Sequence, residues 1–117
     1  MLNPPLTYES LAEIERRRLL KQPLFGLGRL LATPAALELL TTAQHHPARL
    51  LQRHQCGDWG PELGMSDKAA NDQALITGAR LLSVFRIADV RVYLLTEAVD
   101  EDTQRRECTH TLLASEY

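Results

Sequence analysis

Apolar residues recur at helical spacing through the first two thirds of the chain and change to a run of strand-like segments after Gly78. Met1 to Leu6 reads as a loose arm, because Pro4 and Pro5 prevent a helical start. Thr7 is placed to cap a helix reaching about Lys21. Glu9 lies near its positive end, and Leu11, Ile14 and Leu19 fall on one face. Pro23 stops that helix, so residues 1–22 read as an N-terminal helical extension of a single domain spanning 1–117. Leu24 to Ala32 predicts a short strand in which Gly26 and Gly28 share a face. Thr33-Pro34 and His46-Pro47 each put a capping side chain ahead of a proline at the first helical position. The two short helices that follow carry Leu37 and Leu40, then Leu50 and Leu51, to the core. Ser66 predicts the cap of a further helix that presents Ala70, Ala74 and Leu75 and ends at Gly78.

Arg80 to Ile87 and Val90 to Glu97 are rich in Val, Leu, Ile, Phe and Tyr, and Ala88-Asp89 between them predicts a tight hairpin. Leu81, Ser83, Phe85 and Ile87 share one face of the first strand. Val90, Val92 and Leu94 share one face of the second, opposite Arg91, Tyr93 and Leu95. A polar loop, Ala98 to Arg106, leads to a last strand from Glu107 to Ala114. Helices first and a strand meander last predict an α+β fold: three or four short helices packed on one face of a mostly antiparallel sheet of about four strands.

A length of 117 residues fits one domain, and 44% hydrophobic residues supply one core. Thirteen Lys and Arg against fifteen Asp and Glu give a net charge of -2, which disfavours a dedicated nucleic-acid binder. Aromatic residues are 5%, too few for a base-stacking platform beside Arg16, Arg17, Arg18, Arg49 and Arg53. No segment approaches the ~20 apolar residues of a membrane helix, and no secretory leader is visible. Two cysteines, Cys56 and Cys108, do not make a disulfide scaffold, so the expected setting is the cytoplasm with reduced thiols.

The densest chemistry lies in Arg53-His54-Gln55-Cys56-Gly57-Asp58-Trp59-Gly60. Cys56 with His54 as base would make a nucleophile, but a helix C-terminus and Asp58 both oppose a thiolate. His54-x-Cys56 and Cys108-x-His110 together hold the ligand types of a structural zinc site, although at a spacing tighter than a zinc knuckle uses. His45-His46 is adjacent rather than four apart and suits capping. The carboxylates Glu97, Asp100, Glu101 and Asp102 lack the alternating pattern and central glycine of a calcium loop. Gly26-x-Gly28 is not a dinucleotide fingerprint, since Leu31 stands where the third glycine belongs. The expectation is therefore no enzyme, no metal and no cofactor.

Trp59 has two readings. As a core plug, its indole N–H bonds a carbonyl beneath a glycine-flanked turn; as an exposed anchor, it contacts a partner. Asp67 and Asn71 share a helix face and are expected to hold that turn, making one unit with Asp58 and Trp59. Candidate partner contacts are Asp58, Trp59, the basic run Arg16, Arg17 and Arg18, and the acidic residues Glu97, Asp100, Glu101 and Asp102. The basic run also reads as a solvated helix end.

The order Leu30-Leu31-Ala32-Thr33-Pro34, His54-x-Cys56-Gly57-Asp58-Trp59-Gly60, Asp67-Lys68-Ala69-Ala70-Asn71, Gly78-Ala79-Arg80-Leu81-Leu82-Ser83 and Leu94-Leu95-Thr96-Glu97-Ala98, ending in Leu112-Leu113 and Glu116-Tyr117, resembles a family of small bacterial proteins of unassigned function carried on plasmids and integrated elements. The resemblance covers roughly Gly28 to Tyr117, and its most specific parts are the Gly-Asp-Trp-Gly turn and the Asp-Lys-x-x-Asn helix. The chain departs from that pattern in its N-terminal helix, in a hairpin turn without Asp-Gly, and in a longer acidic loop before Cys108 and His110. The resemblance implies a mobile-element setting and transfers no catalytic residue. The expected function is a non-enzymatic protein-interaction module that binds a bacterial protein or a second copy of itself. The alternative is an inhibitor of a host nucleic-acid defence system, of anti-CRISPR or anti-restriction type, that binds an effector protein.

Overall fold

A computed structural model describes residues 3–117; Met1 and Leu2 of the expected N-terminal arm lie outside the described residues. These form four helices and one four-stranded sheet, an α+β fold. In chain order the elements are α1 (Leu11–Leu19), β1 (Arg29–Ala32), α2 (Pro34–Thr42), α3 (Pro47–Gln55), α4 (Met65–Thr77), β2 (Leu81–Ile87), β3 (Val90–Thr96) and β4 (Cys108–Leu113), followed by a 3-10 turn at Ala114–Glu116. The sheet order is β1-β4-β3-β2. β2, β3 and β4 form the antiparallel meander, and β1 adds to it parallel to β4, with Arg29 opposite Cys108 and Ala32 opposite Thr111. Among the described residues no helix is long and apolar enough to cross a membrane.

Strand alternation divides the sheet into two unlike faces. Leu81, Ser83 and Phe85 of β2, Val92, Leu94 and Thr96 of β3, and Thr109 and Thr111 of β4 lie on one face, and all are buried. The helices cover this inner face. Leu40 of α2 and Leu50 of α3 pack on Phe85, Val92 and Leu94. Ala74 and Leu75 of α4 join Leu81, Tyr8, Ile14, Leu24, Phe25 and Trp59 in a second cluster. The outer face carries Leu82, Val84, Tyr93, Leu95, His110, Leu112 and Leu31.

Several boundaries differ from the sequence expectation, each for a tertiary reason. The first helix starts at Leu11 under a Ser10 cap rather than at Thr7. Tyr8 is drawn into the core instead, its N–H donating to Leu75 O and its hydroxyl to Leu24 O at 2.7 Å. That helix is docked on its own domain through Ile14, while Leu11 and Leu19 are exposed. The first strand begins at Arg29, not Leu24, because Leu24 and Phe25 turn into the helical core. Leu24 N–H donates to Gln55 O, and the Gln55 amide donates to Phe25 O. Gly28 then turns the chain at φ 65, where an added Cβ would strike the carbonyl of Arg106. On α2 it is Ala36 and Leu40 that face inward, and Leu37 is exposed. α4 starts at Met65 after Gly64, since Lys68 N–H bonds Gly64 O; Ser66 is inside the helix and Ala70 faces solvent. The expected hairpin forms with Ile87 opposite Val90, and both Ala88 (φ 49) and Asp89 (φ 62) are left-handed, the geometry of a type I′ turn.

Candidate functional site

The sequence cluster around His54 and Trp59 is a buried structural assembly. His54 projects from α3 onto the inner face of the sheet. Its Nδ1 lies 2.5 Å from Ser83 Oγ and its Nε2 2.8 Å from Thr96 Oγ1. Thr96 Oγ1 is in turn 2.7 Å from Thr109 Oγ1, and the Thr109 hydroxyl donates to Leu27 O. That last bond sets the direction of the chain. With its proton committed to Leu27 O, Thr109 accepts from Thr96, Thr96 accepts from His54 Nε2–H, and Nδ1 accepts from Ser83. The chain puts a proton on Nε2, and burial keeps the ring neutral so that Nδ1 is the acceptor. Burial, reinforced by the Arg106 cation, pushes its pKa down from 6.5 to about 3.

Trp59 is 4% exposed and fills the space beneath the turn as a core plug, which takes its ring away from any surface contact. It stacks on Phe25 at 6.2 Å and meets His54 edge-on at 5.8 Å. Its indole N–H donates to the Asp72 carboxylate at 3.0 Å rather than to a carbonyl. Arg18 donates to the same Asp72 oxygen, so α1, α4 and the turn meet at one carboxylate. Asp58 closes the turn by accepting from Gly60 N–H and from Arg53 Nε at 2.7 Å. Gly60 has φ 92 beside β2, and a Cβ there would collide with Val84 O. Asp67 is exposed and outside this unit; Asp72, one residue past Asn71, takes the place expected of it. Asn71 bonds the edge of β2 instead, its Oδ1 accepting from Leu82 N–H and its Nδ2 donating to Leu82 O. Beside it, Val84 N–H donates to Trp59 O. Together they supply the partners a neighbouring strand would have provided.

The basic run pairs within and around α1, with Arg16 exposed. Arg16 pairs with Glu13, Arg17 donates to Pro23 O beside the Tyr8 ring, and Arg18 holds Asp72 and Glu15. In the acidic loop, Asp100 accepts from the N–H groups of Asp102 and Thr103, which holds its carboxyl below the usual range. Glu101 and Asp102 are exposed. Arg106, invisible as a core residue in the sequence, is 5% exposed and donates to the carbonyls of Ala79, Glu97 and Ala74. Burial pulls its pKa down to about 10, so it stays cationic at neutral pH.

The two Cys-His pairs do not converge. His54 lies on the inner face, while the strand alternation of β4 puts Cys108 and His110 on the outer one. Cys56 caps α3 with its Sγ 3.6 Å from Lys21 O, and burial pushes that thiol up, away from the reactive thiolate. Among the described residues no group of three or more His, Cys, Asp and Glu side chains is arranged to hold a metal ion. On the outer face His110 Nε2 lies 3.2 Å from Cys108 Sγ and 3.4 Å from a Glu97 oxygen. Both contacts use one nitrogen, so the ring does not bridge thiol and carboxylate through its two nitrogens, the arrangement of a catalytic triad.

The outer face is the surface the fold leaves uncovered by helices. A groove of about 320 Å³ runs across it, lined by Leu31, Ala32, Leu95, Leu112, His110 and Glu97 among others. At one side Tyr93 meets the Tyr117 ring at 5.6 Å, and Arg80 donates to the Tyr117 hydroxyl. At the other, β1 is exposed along all four residues. The sequence signal for this surface was the second apolar series, Leu31, Tyr93, Leu95 and Leu112, in strands whose first series already fills the core. Compared with protein-family models, with curated proteins and with solved structures, the chain matches none.

Proposed function

We propose that this chain is a non-enzymatic protein-interaction module whose contact surface is the outer face of the sheet. The observation that carries this reading is the apolar groove on that face, with Leu31 37% exposed at its rim and Glu97 and His110 as polar edges. An apolar floor with a polar rim is the general anatomy of a protein contact. β2 and β3 carry apolar residues on both faces, Leu82 and Val84 and then Tyr93 and Leu95 on the outer one, and burial against helices explains only the inner set. The mobile-element setting implied by the Gly-Asp-Trp-Gly turn and the Asp-Lys-x-x-Asn helix is part of the same proposal, with a bacterial protein as partner.

The test is capture of the tagged chain and of its Leu112→Glu variant from bacterial lysate, with and without nuclease. A charge placed on the groove floor is expected to abolish capture of the partner while thermal unfolding shows a folded domain. A partner retained equally by the variant would move the contact surface elsewhere. The alternative, inhibition of a nucleic-acid defence effector, is favoured by the loop that presents Glu101 and Asp102 to solvent on a turn pinned by Asp100. Under that reading the captured protein is a nuclease or effector subunit. Its binding then weakens with salt and with Glu101→Lys and Asp102→Lys substitutions.

A further inference from the structure

The sheet ends differently on its two sides. At β2 the Asn71 amide and the Trp59 carbonyl occupy the edge groups. At β1 nothing does. Arg29 N–H donates to Glu107 O and Thr33 N–H to Thr111 O, so the odd-numbered residues of β1 face β4. Strand alternation then turns the N–H and C=O of Leu30 and Ala32 outward, where no described residue meets them. Leu30 is 55% exposed.

We infer that this edge pairs antiparallel with β1 of a second copy of the chain, joining two sheets into one of eight strands. The inference rests on the reading of the chain as an interaction module but uses the sheet's edge rather than its face. A two-fold pairing makes the same segment both donor and acceptor, and β1 is self-complementary in this sense. Centred on Leu31, it sets Leu30 opposite Ala32 of the other copy, and the outward groups exchange both bonds of each pair. The Leu31 side chains meet across the axis on the outer face, extending the apolar groove from one copy into the next.

Charge selects this register. It places Arg29 opposite Thr33 of the other copy, and the Thr33 hydroxyl lies 2.7 Å from Glu116. Arg29 forms no ion pair among the described residues, and Glu116 is paired with no cation. The dimer therefore supplies two Arg29–Glu116 pairs across the edge. Centring on Leu30 instead would put Arg29 against Leu31.

Sedimentation velocity and light scattering on the full chain test this at roughly 100 µM, where a micromolar contact is saturated. The wild type is expected to be dimeric. Leu30→Pro removes only an outward N–H, so it should leave a folded monomer with at least a tenfold weaker self-association. Arg29→Glu and Glu116→Lys should each be monomeric alone, because like charges then face each other. Mixing the two variants should restore a dimer, since both contacts become opposite-charge pairs. A monomeric wild type, or Arg29→Glu and Glu116→Lys variants that stay dimeric alone or fail to associate when mixed, overturns the pairing, even where Leu30→Pro misfolds. Capture by the outer face is read separately through Leu112→Glu, which leaves the β1 edge intact, so the two proposals fail independently.

Discussion

His54 is the residue whose setting has the clearest consequence for stability. In the unfolded chain its imidazole takes up a proton near pH 6.5, whereas in the folded chain it does so only near 3. Between these values the unfolded state binds more protons, so stability falls as pH falls through that window. At 1.36 kcal/mol per unit, the loss at pH 5 relative to pH 7.5 is about 2 kcal/mol. Urea unfolding at the two pH values should show this, and His54→Gln, which does not titrate, should flatten the dependence. The sequence shows a histidine near a cysteine and a tryptophan, and its local chemistry points to nucleophile or ligand. What it cannot show is that Ser83 and Thr96, from two strands, converge on the ring, with Thr109 of a third strand bonded to Thr96 behind it. Asp72 and Arg106 were hidden for the same reason. Each is an ordinary surface residue by type, and each is buried or half-buried with contacts more than ten residues away, Asp72 to Trp59 and Arg106 to Ala79 and Ala74.

At the scale of elements, local signals served where a residue acts on its own neighbours. Thr33-Pro34 and His46-Pro47 start helices with the side-chain caps their order implies, Thr33 to Ala36 N–H and His46 to Ala48 N–H. Signals failed where the far side of the molecule decides, as at Leu24 and Phe25, whose apolar run suits a strand but whose side chains complete the helical core. The β2–β3 hairpin was legible from its flanking strands despite an unfavoured turn pair. Ala88 and Asp89 hold left-handed conformations without glycine. Asp89→Gly should therefore raise stability by about 1 kcal/mol, measured by chemical denaturation. Asn71 acts in the opposite sense. Asn71→Ala leaves Leu82 N–H and C=O without protein partners, and a loss of about 2 kcal/mol is expected with faster amide exchange in β2.

For the whole molecule, the α+β class follows from the change of period at Gly78, and the two-residue link between β2 and β3 makes those strands neighbours. The parallel placement of β1 beside β4 lay beyond sequence reach, because those strands are separated by most of the chain. The uncovered face belongs to the same scale. It is a property of where the helices stop, and no single segment announces it. Outer-face and edge predictions are therefore read in assembly and capture rather than in stability.

The Asn71 clasp on β2 has a meaning beyond the energy of its two bonds. Joined through β1, two copies present only β2 at either end, and both ends are sealed by Asn71 and the Trp59 carbonyl. Such a molecule has a valence of one, so growth stops at a pair. Were both edges bare, the same self-complementary strand would propagate into fibres. The asparagine is thus a chain terminator for the assembly as much as a brace for the strand.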